Sequence, residues 1–503
     1  MPFNSIFSWL IKKRMHQIEL FTKYPLEVQH ELMTKLVSTA QDTEWGKTHG
    51  FSEVDNYEKF HTRFAIQEYD DVKPYIDRIF NGEQNLLWPS EIKWFAKSSG
   101  TTNDKFKLIP VSKETLEECH YKGGKDLLCL YYHNHPNRKL YKGKHLIIGG
   151  SAQINYTSSD SYFGDLSAII IKNLPFWAEI RRIPKKEIAL LDKWDQKIEQ
   201  MAQSTIKEDV YIVAGVPSWT LHLFKRILEI TGKDNIADVW PNIELFMHGG
   251  VSFVPYRDQF TGFIRKPEMN YVETYNASEG FFGIQDQVNK DEMLLMLDYG
   301  IFYEFIPHSE FQKGNTSKPV WLDGVKTGEN YVMVISTNSG LWRYVLGDTI
   351  TFTSTNPFRF KITGRTRHFI NAFGEELIID NAEKAIHTAC ERTGASIREY
   401  TASPVFMGNN NTGGHQWLIE FEKLPANTSF FGEVLDNALK TLNSDYEAKR
   451  SHNFIMQPPV ITLAKPNLFY DWLKHKGKLG GQHKIPRLVN NRLIMDELLE
   501  LNK

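Results

Sequence analysis

Apolar positions at Leu26, Val28, Leu32, Leu36 and Val37 recur at helical spacing. They predict a helical lead-in over roughly the first ninety residues, broken by Pro25, Pro74 and Pro89. Before it, the apolar run at residues 6–11 is short, is followed by Lys12, Lys13 and Arg14, and has no small-residue cleavage site. That reads as an amphipathic first helix and not as a signal peptide. After the lead-in the period changes. Short β-rich runs at residues 144–148 and 210–214 alternate with a helical pattern at residues 217–231, which predicts α/β layers with much parallel sheet. Residues 331–337 and 350–362 are rich in Val, Ile, Thr and Phe with turn residues between them, and predict a strand-heavy end to this large domain.

Past Arg365 the pattern changes again: a strand, a helix over residues 381–392, a strand at 416–421, a helix over 432–442 and a polar tail. This predicts a small α+β domain of its own. Gly364-Arg365-Thr366-Arg367 links two strand-like runs and is placed to act as a hinge, because glycine tolerates large φ/ψ changes. The expected division is residues 1–366, holding the nucleotide and acid site, and residues 367–503, a smaller mobile unit.

Composition narrows the function classes. The 503 residues are 41% hydrophobic and 13% aromatic, enough for more than one core. The 59 basic and 61 acidic side chains are well mixed and leave a net charge of -2, so no electrostatic footprint for nucleic acid stands out. Cys119, Cys129 and Cys390 have neither metal-ligand spacing nor the number of a disulfide framework, which predicts a reducing, cytoplasmic setting. No stretch of about 18 uncharged apolar residues occurs, so no membrane insertion is expected.

Three segments carry the chemistry. In Lys97-Ser98-Ser99-Gly100-Thr101-Thr102, four hydroxyls surround a glycine after the strand-like Trp94-Phe95-Ala96, and Lys107 follows. Such a loop can wrap a triphosphate with hydroxyl and backbone donors, although an ordinary polar turn would look similar. The Walker spacing is absent. In Tyr275-Asn276-Ala277-Ser278-Glu279-Gly280, a carboxylate at a strand end can hold magnesium against phosphate oxygens, and Tyr275 offers a face for adenine. Taken alone, Glu279 reads more simply as a solvated loop carboxylate. The third segment ends Tyr344-Val345-Leu346-Gly347-Asp348, with Arg365 beyond it. Asp348 can accept both ribose hydroxyls, and Arg365 can reach the α-phosphate or the same ribose; the plainer alternative is a weak surface ion pair. Gly249 and Gly250 follow an apolar strand and could let the backbone approach an adenine edge. Lys484, in the basic glycine-marked loop of residues 480–487, offers a mobile cation for charge that builds between a carboxylate and an α-phosphate.

In this order, Ser98 to Thr102 with Lys107-Leu108-Ile109-Pro110, Tyr275 to Gly283, Tyr344 to Asp348, Gly364-Arg365 and Lys484-Ile485-Pro486-Arg487 resemble the auxin-responsive acyl-acid amido synthetases, specifically their bacterial relatives. That family belongs to the adenylate-forming superfamily of acyl-CoA synthetases and luciferases. The resemblance spans roughly residues 90–490. It implies a large N-terminal domain of layered α/β sheets plus a β-barrel-like part, with a small α+β C-terminal domain that rotates between two half-reactions. By carry-over, Ser98, Ser99, Gly100, Thr101 and Thr102 hold the β- and γ-phosphates, Ser278 and Glu279 serve phosphate and magnesium, and Tyr275, Gly249 and Gly250 lie near adenine. Asp348 binds ribose, Arg365 closes the site, and Lys484 is the lysine present during adenylation. The sequence departs from the pattern at Asn103-Asp104, where the general loop has a glycine, and around Glu375-Glu376-Leu377, where the second lysine of plant members is missing.

The leading expectation is an ATP- and Mg²⁺-dependent ligase that activates a carboxylic acid as acyl-adenylate and passes the acyl group to an amine, an amino acid in the first instance. No Ser-His-Asp or Cys-His grouping is recognisable, which suits a reaction run by orientation and charge stabilisation. Tyr121, Trp219 and Phe224 are candidate walls of the acid pocket, with core packing as the alternative for each. A monomer is expected. Two other readings stay open: an acyl-CoA ligase, and a nucleotide-binding protein without activity.

Overall fold

The computed structural model describes residues 2–99, 106–138, 142–149, 155–156, 160–191, 193–251, 253–316, 319–366, 369–407, 412–453, 455–476 and 485–503. The lead-in is helical as expected, with Pro2–Lys23 and Pro25–Ala40 its two long members. Pro25 stands at the start of the second, where its missing N–H costs nothing. Pro74 departs from expectation, because the helix Tyr69–Phe80 runs through it. The buried stripe of Tyr69, Val72, Ile76 and Ile79 outweighs one lost hydrogen bond. Arg14 ties the first helix down: its guanidinium forks onto Asp126 at 2.7 and 2.6 Å and onto Asp298 at 2.7 and 2.9 Å.

Strands in the first half are β1 (Trp94–Ser99), β2 (Phe106–Val111), β3 (Lys144–Ile147), β4 (Asn155–Tyr156), β5 (Tyr162–Asp165), β6 (Arg182–Ile183), β7 (Val210–Ala214), β8 (Leu245–Gly249), β9 (Asn270–Ala277) and β10 (Gly280–Ile284). There follow β11 (Met293–Leu295), β12 (Ile301–Pro307), β13 (Asn330–Thr337), β14 (Tyr344–Thr355), β15 (Phe358–Arg365), β16 (Phe369–Ile370), β17 (Leu377–Ile378), β18 (Ser396–Val405), β19 (Gly414–Lys423) and β20 (Val460–Leu463).

Eleven strands form one sheet in the order β12-β13-β14-β15-β11-β10-β9-β8-β7-β3-β6. Parallel pairing is confined to the β9-β8-β7-β3-β6 end, and the strand-heavy region predicted near residues 331–362 continues the same sheet antiparallel. A second sheet, β2-β1-β5-β4, carries the serine-rich segment at the end of β1. The helix Pro217–Thr231 matches its sequence prediction because its ends are marked chemically: Pro217 opens it and Gly232, at φ 66°, closes it in the left-handed region.

Beyond Arg365, β18-β19-β20 form a three-stranded sheet with the helices Ile379–Thr393 and Thr428–Leu442 on it. The expected polar tail is a correction: helices Leu468–His475 and Leu493–Leu501 fold there, and Leu468, Phe469, Trp472, Met495 and Leu498 bury their own apolar cluster. No helix among the described residues is long and apolar enough to cross a membrane.

Candidate active site

The β1–β2 hairpin pairs Ser98 with Lys107, so the stem of the serine-rich loop is set by ladder register. Gly100, Thr101 and Thr102 lie outside the described residues, as does Lys484. The β9–β10 hairpin turns tightly on Ser278 and Glu279, with Ala277 opposite Gly280. Ser278 Oγ donates to the Lys97 carbonyl at 3.0 Å, which seats this turn against the end of β1. Two segments far apart in sequence therefore meet.

The third segment joins them. Asp348 and Arg365 are register partners across β14 and β15, and Arg365 Nε lies 2.8 Å from Asp348 Oδ1. Gly347 and Gly364 flank the pair at φ 89° and 150°, backbone that a side chain would strain. Tyr275 donates its hydroxyl to the other Asp348 oxygen. Its ring is buried and packs against Phe282 and Phe360, so Tyr275 holds the carboxylate and presents no open face for adenine, unlike the stacking role expected from sequence. Arg365 also reaches Glu376 at 3.3 Å, and the guanidinium is held charged by both carboxylates.

Glu279 is 7% exposed. Burial pushes its carboxyl up to about 7, the Lys107 charge opposes the rise, and Asp348 and Glu376 add to it. Glu279 thus feels Lys107, Asp348 and Glu376 at once, which places one electrostatic cluster on the hairpin turn, β2, β14 and the chain between β16 and β17. At the adjoining end of β8, a Cβ on Gly249 would stand 2.4 Å from the Thr274 carbonyl, so only glycine fits there. The Gly250 carbonyl accepts from Asn371 Nδ2 at 3.1 Å.

The candidate acid-pocket residues divide between two apolar clusters. Tyr121 belongs to the cluster under the helix Tyr121–Asn134, donating to the Ile170 carbonyl at 3.4 Å. Trp219 and Phe224 belong to another cluster, and Phe224 is fully buried against Trp240 and Phe260. Phe224 is a core residue; its position on the inner stripe of the helix Pro217–Thr231, filled on all sides, leaves nothing for a ligand to touch. Trp219 instead meets the second unit, under the Lys449 ammonium 5.3 Å from its ring.

Sequence reasoning missed Glu376, Asp445 and Lys449. Asp445, on the helix Ser444–Arg450, is held above the usual carboxylate range by desolvation and senses Lys449, Glu376, Asp165 and Lys97, so this helix faces the end of β1. The doublet Glu375-Glu376 is the one available sequence signal for Glu376. For Asp445 and Lys449, on an ordinary charged helix, there was none.

Next to the cluster, Glu273 is a register partner of His248 on β8, and burial pushes its carboxyl up to about 7 from an ordinary 4.5. The folded chain keeps a proton there that the unfolded chain releases, so stability falls as pH rises between these two values and levels off above. Urea midpoints at about pH 5 and about pH 7.5 should drop more in the wild type than in Glu273→Gln; equal drops would remove Glu273 as a cause.

Comparison with known proteins gives a consistent result. The sequence matches the GH3 family N-terminal domain over residues 14–269, the GH3 family central domain over 294–365 and the GH3 family C-terminal domain over 380–493. It is 23% identical to indole-3-acetic acid-amido synthetase GH3.3 of Arabidopsis thaliana, covering 97% of this chain and 93% of that protein. It is 22% identical to the 4-substituted benzoates-glutamate ligase GH3.12 of the same plant, covering 94% and 95%. The fold resembles the GH3.15 acyl acid amido synthetase in complex with 2,4-DB, with a TM-score of 0.63 at 19% identity over 98% of this chain and 96% of that one. It also resembles a 2-hydroxyisobutyryl-CoA ligase in its thioesterification state, with a TM-score of 0.56 at 12% identity over 94% and 92%. With its N-terminal, central and C-terminal parts matched in order around the site described above, the chain belongs to the GH3 family.

Proposed function

We propose that the protein is an ATP-dependent acyl-acid amido synthetase. The observation that carries this reading is the meeting of Ser278 with the end of β1, beside a Glu279 that senses Lys107 and Asp348, with Asp348 held between Tyr275 and Arg365. Those groups supply what a nucleoside triphosphate needs: a hydroxyl-lined loop, a desolvated carboxylate and a fixed carboxylate for ribose. Magnesium fits the donor set as an ion delivered with the triphosphate. No cluster of three or more His, Cys, Asp or Glu able to hold a metal occurs among the described residues, while one buried carboxylate beside phosphates is the arrangement this ion uses. Glu279 would hold it, and its charge would draw electron density from the phosphate oxygens.

In the first step the acid's carboxylate oxygen attacks the α-phosphorus and pyrophosphate leaves. Ser98, Ser99, Gly100, Thr101 and Thr102 hold the leaving phosphates, Lys107 offsets their charge, and Lys484 supplies the cation of this step. Gly249 and Gly250 give adenine a close backbone approach, Asp348 holds the ribose hydroxyls, and Arg365 orients Asp348. In the second step an amine, that of an amino acid, attacks the acyl carbon and AMP leaves. Residues 1–366 form the large domain and 367–503 the smaller moving one.

The test is a pyrophosphate-release screen across carboxylic acids, followed by mass spectrometry of the product formed from the best acid with amino acids or with CoA. An amide supports the assignment. A thioester alone would replace it with acyl-CoA ligation, and release without acid dependence would reject both.

A further inference from the structure

Residues Thr115–His120 are wound as a π-helical turn leading into the helix Tyr121–Asn134. Such wide turns are rare and collect at functional sites. This one presses two successive side chains onto the β9–β10 hairpin. Cys119 Sγ accepts the Phe281 N–H at 3.1 Å, and His120 Nδ1 lies 3.0 Å from Asn276 Oδ1. Asn276 and Phe281 are cross-strand partners, and the ladder slips immediately after them, between Phe281 and Gly283. The turn thus takes over a position where the ladder is irregular, the kind of place where a side chain is re-aimed.

His120 is 5% exposed and burial lowers its pKa to about 4, so the ring is neutral. A neutral ring facing an amide oxygen carries its proton on Nδ1 and donates it. Its Nε2 is buried with no partner among the described residues, a cost that no packing argument repays. What the ring does achieve is to occupy the oxygen of Asn276. Asn276 itself is exposed, so the group it turns outward is the Nδ2 amine. It lies between Tyr275, which holds Asp348, and Ser278, which touches the end of β1. Along the chain the groups proposed for ribose and for phosphate stand on either side of it, and the strand's alternation puts its side chain on the face opposite Tyr275, with His120 and the π-helical turn.

We propose that Asn276 is a catalytic residue of the transfer step, its Nδ2–H donating to the acyl oxygen, and that His120 is the positioning residue that fixes the amide. This rests on the adenylate-forming reading above. As the amine nitrogen forms its bond to the acyl carbon, the C=O π electrons move onto oxygen, and the Asn276 N–H meets that charge. The charge then returns, the bond to the AMP oxygen breaks, AMP leaves with the electron pair, and the nitrogen's extra proton passes to water. In adenylation the same oxygen loses charge, so the donor contributes less there.

The experiment uses the full chain and follows both half-reactions: acid-dependent exchange of labelled pyrophosphate into ATP, and single-turnover amide formation after amino acid is mixed with enzyme carrying its acyl-adenylate. Asn276→Ala is expected to slow transfer on the order of 10²-fold and exchange by less than about tenfold. His120→Phe should repeat that split, and His120→Gln, which keeps an N–H donor, should recover most of the transfer rate. Transfer at the wild-type rate in Asn276→Ala, or equal losses in both half-reactions, would overturn the proposal. Phe and Gln variants equally slow in transfer but normal in exchange would overturn the positioning role of His120. Absence of exchange in the wild type would instead overturn the functional reading and this inference with it.

Discussion

Asp348→Ala is expected to lower kcat/KM for ATP on the order of 10³-fold, with the protein still folded. Two charge-assisted hydrogen bonds to ribose hydroxyls, at about 1.5–3 kcal/mol each, are lost, and about 1.4 kcal/mol is a factor of ten. Two more losses act in the same direction. Arg365 loses the nearer of its two carboxylate partners, and the buried Tyr275 hydroxyl is left without its acceptor. Asp348→Asn should fall between, since it keeps one oxygen but not the charge that orients Arg365. The check is the initial rate of pyrophosphate release against ATP concentration. A loss below about tenfold in the alanine variant would take Asp348 out of the ribose contact.

Arg343→Met is expected to destabilise the large domain by about 3–5 kcal/mol, the cost of leaving a buried charge without its partner. Arg343 and Glu304 expose only 4% and 1% of their side chains and pair through both guanidinium and both carboxylate atoms at 2.9 Å. The guanidinium also donates to the carbonyls of His61 and Phe64 at 2.6 Å, so it binds the helical lead-in to β12 just before β14 begins. The double variant Arg343→Met with Glu304→Leu should recover much of the loss, because both charges go together. Urea unfolding followed by intrinsic fluorescence measures it. A cost under about 1 kcal/mol for the single variant would show that the pair is solvated in the native state.

How far the chain could be read depends on whether the signal is local. Phosphate and ribose need hydroxyls, glycines and a carboxylate close to one another along a loop, so residues 98–102, 275–280 and 344–348 stand out in the sequence alone. The helix Pro217–Thr231 was equally legible because proline and glycine punctuate it. What escaped was long-range. His120 and Asn276 are 156 residues apart, and Asp445 reaches the cluster from far along the chain, so neither pairing leaves a mark in spacing. The helix Leu468–His475 reads in sequence as part of a polar tail because its buried Leu468, Phe469 and Trp472 are set among charged neighbours over barely two turns. Phe224 and Tyr275 show the converse. An aromatic at a promising place can be spent on the core, or can serve through its hydroxyl alone.

One measurement bears on the whole account: incorporation of labelled pyrophosphate into ATP by the wild-type protein and by Asp348→Ala, with and without the best carboxylic acid. The account predicts label in ATP only when acid is present, and its near-complete loss in the variant. Label that enters without acid, or that the variant incorporates as fast as the wild type, would contradict the single adenylating site built on Ser278, Glu279 and Asp348.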